Sequence, residues 1–112
     1  MKVFCHHLYE YEKGLRNLIL HTAEIKNQDF MIKKLESKNI TYVIYQVSSQ
    51  KINIIFGDQN CVDVIKEIGK KNLKDYTDEE DFMLGIMLGY DRLKQCERYL
   101  KRKVEKTELK AV

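Results

Sequence analysis

The chain has 112 residues, of which 44% are hydrophobic and 33% charged, and its formal net charge is +3. This length suits one domain, and the composition excludes a disordered chain, which combines low hydrophobicity with high net charge. Because acidic and basic residues alternate, and because no run approaches the ~20 apolar residues of a membrane span, we expect neither nucleic-acid binding nor a membrane protein.

The three cysteines, Cys5, Cys61 and Cys96, are widely spaced and form no CxxC pair. Their spacing predicts neither a zinc site nor a thioredoxin-type redox site. The residues that follow Met1 turn polar at His6 instead of forming the apolar core of a signal peptide. We therefore expect a cytoplasmic protein with three free thiols.

The first third of the chain predicts a helix, a strand and a second helix. Four apolar residues at helical spacing predict the first helix, which Gly14 would cap. These residues are Phe4, Leu8, Tyr11 and Leu15. A short strand over residues 2–5 is the competing interpretation. Residues 18–22 are evenly apolar and predict a buried strand, and Asn27 is expected to begin a helix that Asn39 closes.

Two segments rich in β-branched and aromatic residues, 41–47 and 51–56, are separated by three polar residues and predict a β-hairpin. Both faces of this hairpin carry apolar side chains, so helices or a second subunit should cover both. Asp58 is expected to cap a further helix that ends at Gly69. The predicted apolar face of that helix comprises Cys61, Val64, Ile65 and Ile68.

The C-terminal third opens with a capping box, in which Thr77 is followed three residues later by Glu80. It predicts one long helix that continues to about Lys103. The first half of this helix is apolar all round, and in a chain this small such a helix indicates a homodimer. The predicted dimer interface comprises Phe82, Met83, Ile86, Met87, Gly89 and Tyr90.

Together these elements predict an α+β fold. It is a three-stranded sheet with a β-hairpin, covered by four to five helices that include a long C-terminal helix. We expect residues 1–104 to form a single domain and the basic residues 105–112 to fray as a tail.

The three histidines, His6, His7 and His21, all lie within the first 21 residues. On a helix the first two point about 100° apart, so we predict no metal site from this segment alone. His21 can complete a pair with one of them. The simpler interpretation is that one histidine packs in the core, one is solvated and His21 ends a strand. The alternative is that one or two of them bind haem or another tetrapyrrole.

Catalytic motifs are missing from the sequence, which has no serine-nucleophile motif, P-loop or dinucleotide fingerprint. We therefore expect a protein without enzymatic activity. The remaining enzyme hypothesis is a thiol-dependent redox reaction at Cys5 with His7 as its base. Gly85 and Gly89 form a GxxxG step, which favours a close helix crossing in the core or at a dimer interface.

Three segments resemble a known family: FCHHLYEYEKGLRNLILHT (residues 4–22), MLGY (87–90) and QCERY (95–99). Over nearly the whole chain the sequence is similar to a small bacterial family, the domain-of-unknown-function family twenty twenty-three. This resemblance implies three strands, about five helices and a homodimer, and it transfers no catalytic residue.

By analogy, the resemblance also implies a flavodoxin as a neighbour and a role near low-potential electron transfer. A flavodoxin is typically acidic, and the connector lysines Lys70, Lys71 and Lys74 would suit an acidic partner. The sequence thus predicts a non-enzymatic, homodimeric protein-interaction module, with a haem-binding protein as the alternative.

Overall fold

The computed structural model describes residues 1–111, which form five α-helices, two short 3₁₀ turns and three β-strands. The predicted α+β class, with a three-stranded sheet and a long C-terminal helix, is confirmed. The helices are α1 (Lys2–Glu12), α2 (Gln28–Ser37), α3 (Gln59–Ile68), α4 (Asp78–Met87) and α5 (Arg92–Ala111), and the strands are β1 (Leu18–Glu24), β2 (Thr41–Gln46) and β3 (Lys51–Gly57).

The sheet is antiparallel, and its strand order is β1-β3-β2. The predicted hairpin is confirmed, since β2 and β3 pair with Ile44 opposite Ile54. β1 pairs with the other edge of β3 and places Ile19 opposite Phe56. Because β3 has a neighbour on each side, all its residues after Lys51 are buried.

Helices α1 and α2 cover one face of this sheet. Phe4 and Leu8 of α1 lie one turn apart and both are buried, as a helix face requires, so the competing strand over residues 2–5 is wrong. Met31 and Leu35 of α2 follow the same spacing and enter the same core. The backbone of Asn39, with a φ of +56°, turns the chain from α2 into β2.

Helices α3 and α4 cover the opposite face, so both faces are packed as predicted. Asp58 caps α3 by accepting hydrogen bonds from the backbone N–H groups of Asn60 and Cys61, and Gly69 ends the helix in the left-handed conformation. Val62 and Ile65 are the buried residues of α3. They pack in one cluster with residues of β1, β3 and α4.

The predicted continuous helix from Thr77 to Lys103 is wrong, because the chain reverses after Met87. Gly89 adopts a φ of +81°, and the N–H of Tyr90 bonds back to the carbonyl of Gly85, which terminates α4. The side chain of Asp91 then accepts from the N–H of Lys94 at 3.0 Å and starts α5. Helices α4 and α5 therefore form a helical hairpin.

The structure describes residues 105–111 of the segment that the sequence predicts to fray as a tail. Helix α5 continues through Ala111, and Lys106 pairs with Asp78 of α4 at 2.8 Å. Good helix formers such as Glu, Lys and Leu sustain the last turns. Val112 lies outside the described residues. None of the helices in residues 1–111 is long and apolar enough to cross a membrane.

Candidate functional site

The α4–α5 hairpin starts from the predicted capping box, which the structure contains. The Glu80 N–H donates to Thr77 Oγ1 at 3.1 Å, and the Thr77 N–H donates to Glu80 Oε1 at 2.9 Å. The first turn of α4 thereby presents four consecutive carboxylates, residues 78–81, at the positive end of the helix dipole. Their position determines how α5 attaches.

Asp78 and Asp81 bind the basic side chains of α5. The Asp78 side chain is completely buried, and its two oxygens lie 3.0 Å from Arg102 Nε and 2.8 Å from Lys106 Nζ. These contacts are ion pairs, since neither oxygen has an aligned hydrogen bond within the described part of the chain. Asp81 accepts from Arg98 Nε at 2.9 Å, and this hydrogen bond lowers the pKa of Asp81.

Glu79 adds a third carboxylate to this network. Lys103 Nζ lies 2.6 Å from its Oε2, and the Tyr99 hydroxyl donates to the same oxygen at 2.7 Å. The hydrogen bond from Lys103, followed by that from Tyr99, lowers the pKa of Glu79 to about 2. We call the whole network the ionic clasp. It comprises Asp78, Glu79, Asp81, Arg98, Arg102, Lys103 and Lys106.

Helix α5 depends on this clasp because it adds little to the hydrophobic core. Within residues 1–109, neither of the two buried clusters contains a side chain from α5. Its uncharged contacts with α4 include the Phe82 and Tyr99 rings, whose centroids are 5.6 Å apart. They also include Gln95, whose amide lies where a Cβ on Gly85 would be. The Gly85 half of the GxxxG step thus serves a helix crossing, whereas no atom of the described residues lies within 4 Å of the Cβ position of Gly89.

The outer surface of the hairpin is apolar and exposed. Leu93, Leu100 and Val104 of α5 are 75%, 61% and 56% exposed, and Met83 of α4 is 42% exposed. A groove of about 420 Å³ between the helices is lined by Phe82, Met83, Cys96, Tyr99 and Leu100, with Glu79 at its edge. We call this surface the hairpin stripe. It comprises Phe82, Met83, Leu93, Cys96, Leu100 and Val104.

The structure divides the six residues of the predicted dimer interface. Phe82 and Met83 line the groove. Ile86 is half-buried, and Met87 packs against the core beneath α4. Gly89 and Tyr90 lie in the exposed turn before α5. The predicted interface did not include the residues of the hairpin stripe that lie on α5. Their spacing of three to four residues places them on one helix face and could have indicated them.

The three histidines gather where α1 packs on β1. The rings of His7 and His21 are 5.5 Å apart at their centroids, and His6 lies further out on the surface. Arg16 donates to His7 Nδ1 at 3.4 Å, and Glu10 lies 3.5 Å from the same nitrogen. The guanidinium group of Arg16 is therefore the positive charge that contacts this histidine cluster. Within residues 1–111, no group of three or more His, Cys, Asp or Glu side chains is arranged to hold a metal ion.

His21 is the half-buried member of this histidine cluster. Burial, followed by the nearby His7 ring and the N-terminal ammonium group, lowers its pKa below the ordinary value of 6.5. Its ring also packs against Phe4 at a centroid distance of 5.9 Å. At neutral pH the imidazole is therefore uncharged and has a free lone pair, which is the form that binds a metal centre.

The cysteines are all free thiols in this fold. Cys5 is exposed on α1, whereas Cys61 and Cys96 are half-buried. Burial, followed by the charge of Asp58, raises the pKa of the Cys61 thiol, which is the opposite of what a reactive cysteine needs. The side chain of His7, proposed as a base for Cys5, is held by Arg16.

Comparison with known proteins adds one finding to this geometry. A family model described as "Protein of unknown function (DUF2023)" matches residues 2–102, which include both sheet faces and the clasp carboxylates. No curated protein matches the chain.

Proposed function

Since the chain belongs to the DUF2023 family, whose description assigns no activity, we propose that it is a non-enzymatic, homodimeric protein-interaction module. It works in the bacterial cytoplasm as an accessory to flavodoxin-type electron transfer. The observation that carries this proposal is the hairpin stripe, because exposed apolar side chains that lie together on one surface mark sites of protein association.

A second copy of the chain is the first occupant of the hairpin stripe. Helix α5 has 20 residues against 10 in α4, so its C-terminal turns extend past α4, its main packing partner among the described residues. A helix in water draws most of its stability from packing of its apolar face. Association of two hairpins would cover Leu93, Leu100 and Val104 in both chains.

Replacing Leu100 by glutamate tests this association. Leu100→Glu is expected to weaken the dimer at least tenfold, because it places a charge in a desolvated interface. Leu109→Glu is the matched control, since Leu109 is 76% exposed but lies about half a turn round α5 from Leu100. Light scattering should show dissociation of the first variant and not of the second. Equal dimerisation of both variants would show that the hairpin stripe is not part of the dimer interface.

We propose that the acidic partner binds at the connector between α3 and α4. Lys70 pairs with Glu80, whereas Lys71 and Lys74 are exposed and available to an acidic surface. Attraction between opposite surface charges weakens as salt screens it. We therefore expect the module to bind an oxidised flavodoxin with a Kd that rises steeply with ionic strength.

Charge reversal in the connector tests this assignment. Lys71→Glu combined with Lys74→Glu should weaken flavodoxin binding by about tenfold, the effect of about 1.4 kcal/mol. The control combines Lys33→Glu with Lys34→Glu, which makes the same charge change on exposed residues of α2. Isothermal titration at low and physiological salt measures both variants. A Kd that changes neither with salt nor in the connector variant would contradict flavodoxin binding at the connector.

A haem-binding protein is the second candidate, favoured by the adjacent His7 and His21 and by the neutral form of His21. Titration with haemin should then give a saturable Soret shift at one haem per chain or per dimer. The shift should be lost in His21→Ala and kept in His6→Ala, since His6 is a largely exposed histidine of the same cluster. A flat titration would leave the histidines with a structural role.

A further inference from the structure

Helix α5 carries four exposed charged residues in a line directly beside the hairpin stripe. Lys94, Glu97, Lys101 and Glu108 follow one another at intervals of three, four and seven residues, so they share one side of the helix. Each of the first three follows a stripe residue by one position, which places this line next to the stripe. We call these four residues the charged flank.

The signs along the charged flank alternate about Leu100. Glu97 and Lys101 lie within one turn on either side of it, and Lys94 and Glu108 lie about two turns out on either side. Reversing the direction of the helix therefore exchanges each acid with a base. A helix with this pattern is complementary to an antiparallel copy of itself.

We propose that two chains pair through α5 in antiparallel orientation, about a two-fold axis beside Leu100. In this arrangement Glu97 meets Lys101 of the second chain and Lys94 meets its Glu108, with both contacts repeated by symmetry. In a parallel pair the two-fold axis runs along the helices and places the two flanks on opposite sides of the interface, so these four contacts would not form. This inference rests on the proposed homodimer and specifies its geometry.

The apolar residues fit the same axis. Leu100 meets its own copy, and Cys96, four residues before it, meets Val104 of the second chain, four residues after it. The groove between α4 and α5 accepts side chains of the incoming helix, with Met83 and Phe82 as its far wall. The two hairpins then pack as a four-helix arrangement with the sheets on its outside.

The charge of the flank identifies a second copy as the occupant. The flank has two lysines and two glutamates, and the exposed Glu105 beside it adds one acid, so this side of α5 is nearly neutral and favours neither a strongly acidic nor a strongly basic surface. The basic residues that face α4 are already engaged in the ionic clasp, as Arg98 and Arg102 illustrate. The alternating order of its acidic and basic residues is instead complementary to an antiparallel copy of the same helix.

Charge-swapped variants test the antiparallel pairing. The first, Lys94→Glu with Lys101→Glu, makes the flank all acidic, and the second, Glu97→Lys with Glu108→Lys, makes it all basic. Each alone should dimerise at least tenfold more weakly than the parent, because all four flank contacts become repulsive. An equimolar mixture should recover parental affinity as a one-to-one heterodimer, measured by native mass spectrometry and sedimentation velocity.

The outcomes separate this inference from the homodimer itself. If the parent dimerises and each variant alone does so equally well, α5 pairing is overturned while the homodimer stands. If the parent is a monomer, both fail together.

A disulfide experiment covers the case in which charge reversal unfolds the helix. Val104→Cys, made with Cys5→Ser, should form an interchain disulfide with Cys96 of the second chain when oxidised glutathione is added, and adding Cys96→Ser should abolish it. Leu109→Cys, made with Cys5→Ser, should form no interchain disulfide, since it lies far from the axis. Cross-linking of residue 104 to its own copy, or of residue 109, would contradict the antiparallel axis.

Discussion

Replacing Asp78 by alanine is expected to lower the free energy of unfolding by about 2–4 kcal/mol and to loosen α5 from α4. The Asp78 side chain is completely buried beneath Arg102 and Lys106, so its removal leaves both cations without this counter-ion. The expected loss stays below that of a fully buried pair because Arg102 and Lys106 are 31% and 56% exposed and can turn into water.

Chemical denaturation and amide hydrogen exchange measure the two parts of this prediction. Exchange should accelerate in α5 and stay slow in the sheet, since α4 is the main packing partner of α5 among the described residues of one chain. The matched control is Asp29→Ala, which removes an exposed carboxylate from the first turn of α2 and should cost no more than about 1 kcal/mol. If both variants lose the same stability, the ionic clasp does not hold α5.

Replacing Gly57 by alanine is expected to destabilise the fold by about 2–4 kcal/mol or to prevent folding. Gly57 ends the central strand with a φ of +144°, a conformation that L side chains rarely adopt. A Cβ there would lie 2.2 Å from the carbonyl oxygen of Asn17, which accepts the Asp58 N–H at 2.8 Å. Backbone of β1, β3 or the α3 cap would therefore have to move.

Gly14→Ala separates the effect of this collision from that of backbone conformation. Gly14 also has a positive φ, +74°, but nothing lies within 4 Å of its Cβ position. Its replacement should cost only about 1 kcal/mol, which is the conformational part. Thermal denaturation of the two variants compares them directly. Equal losses would mean that the strand end adapts to a side chain at residue 57.

Short-range signals were sufficient to predict most of the elements. Asp58 as an N-cap, Gly69 as a C-cap and the box of Thr77 with Glu80 each act within one turn, so a sequence displays them completely. The hairpin of β2 and β3 follows from two β-rich segments joined by a short polar link. The packing of both sheet faces follows from apolar residues on both sides of those strands.

The reversal after α4 was missed because heptad-like spacing continued across it. The spacing of Phe82, Leu93 and Leu100 is that of one face of a single helix, although these residues belong to two helices. Gly89 followed by Asp91 was the available signal, since one supplies a left-handed C-cap and the other an N-cap.

The ionic clasp was out of reach for a different reason. Its partners are far apart in the chain, such as Arg98 and Asp81 at 17 residues and Tyr99 and Glu79 at 20. Within one turn the acidic run shows only its local role, which is to cap α4 and to complement its dipole. In the same way the sequence allowed His21 to meet another histidine, but gave no sign that Arg16 would occupy the site beside His7.

In the proposed homodimer a second copy of the chain covers the hairpin stripe. Sedimentation equilibrium of the unmodified protein over a wide concentration range tests it most directly. We expect a mass twice the 13.4 kDa of the chain, with dissociation only on dilution. A mass of 13.4 kDa at every concentration would contradict it, and the apolar surface of α4 and α5 would then require another occupant.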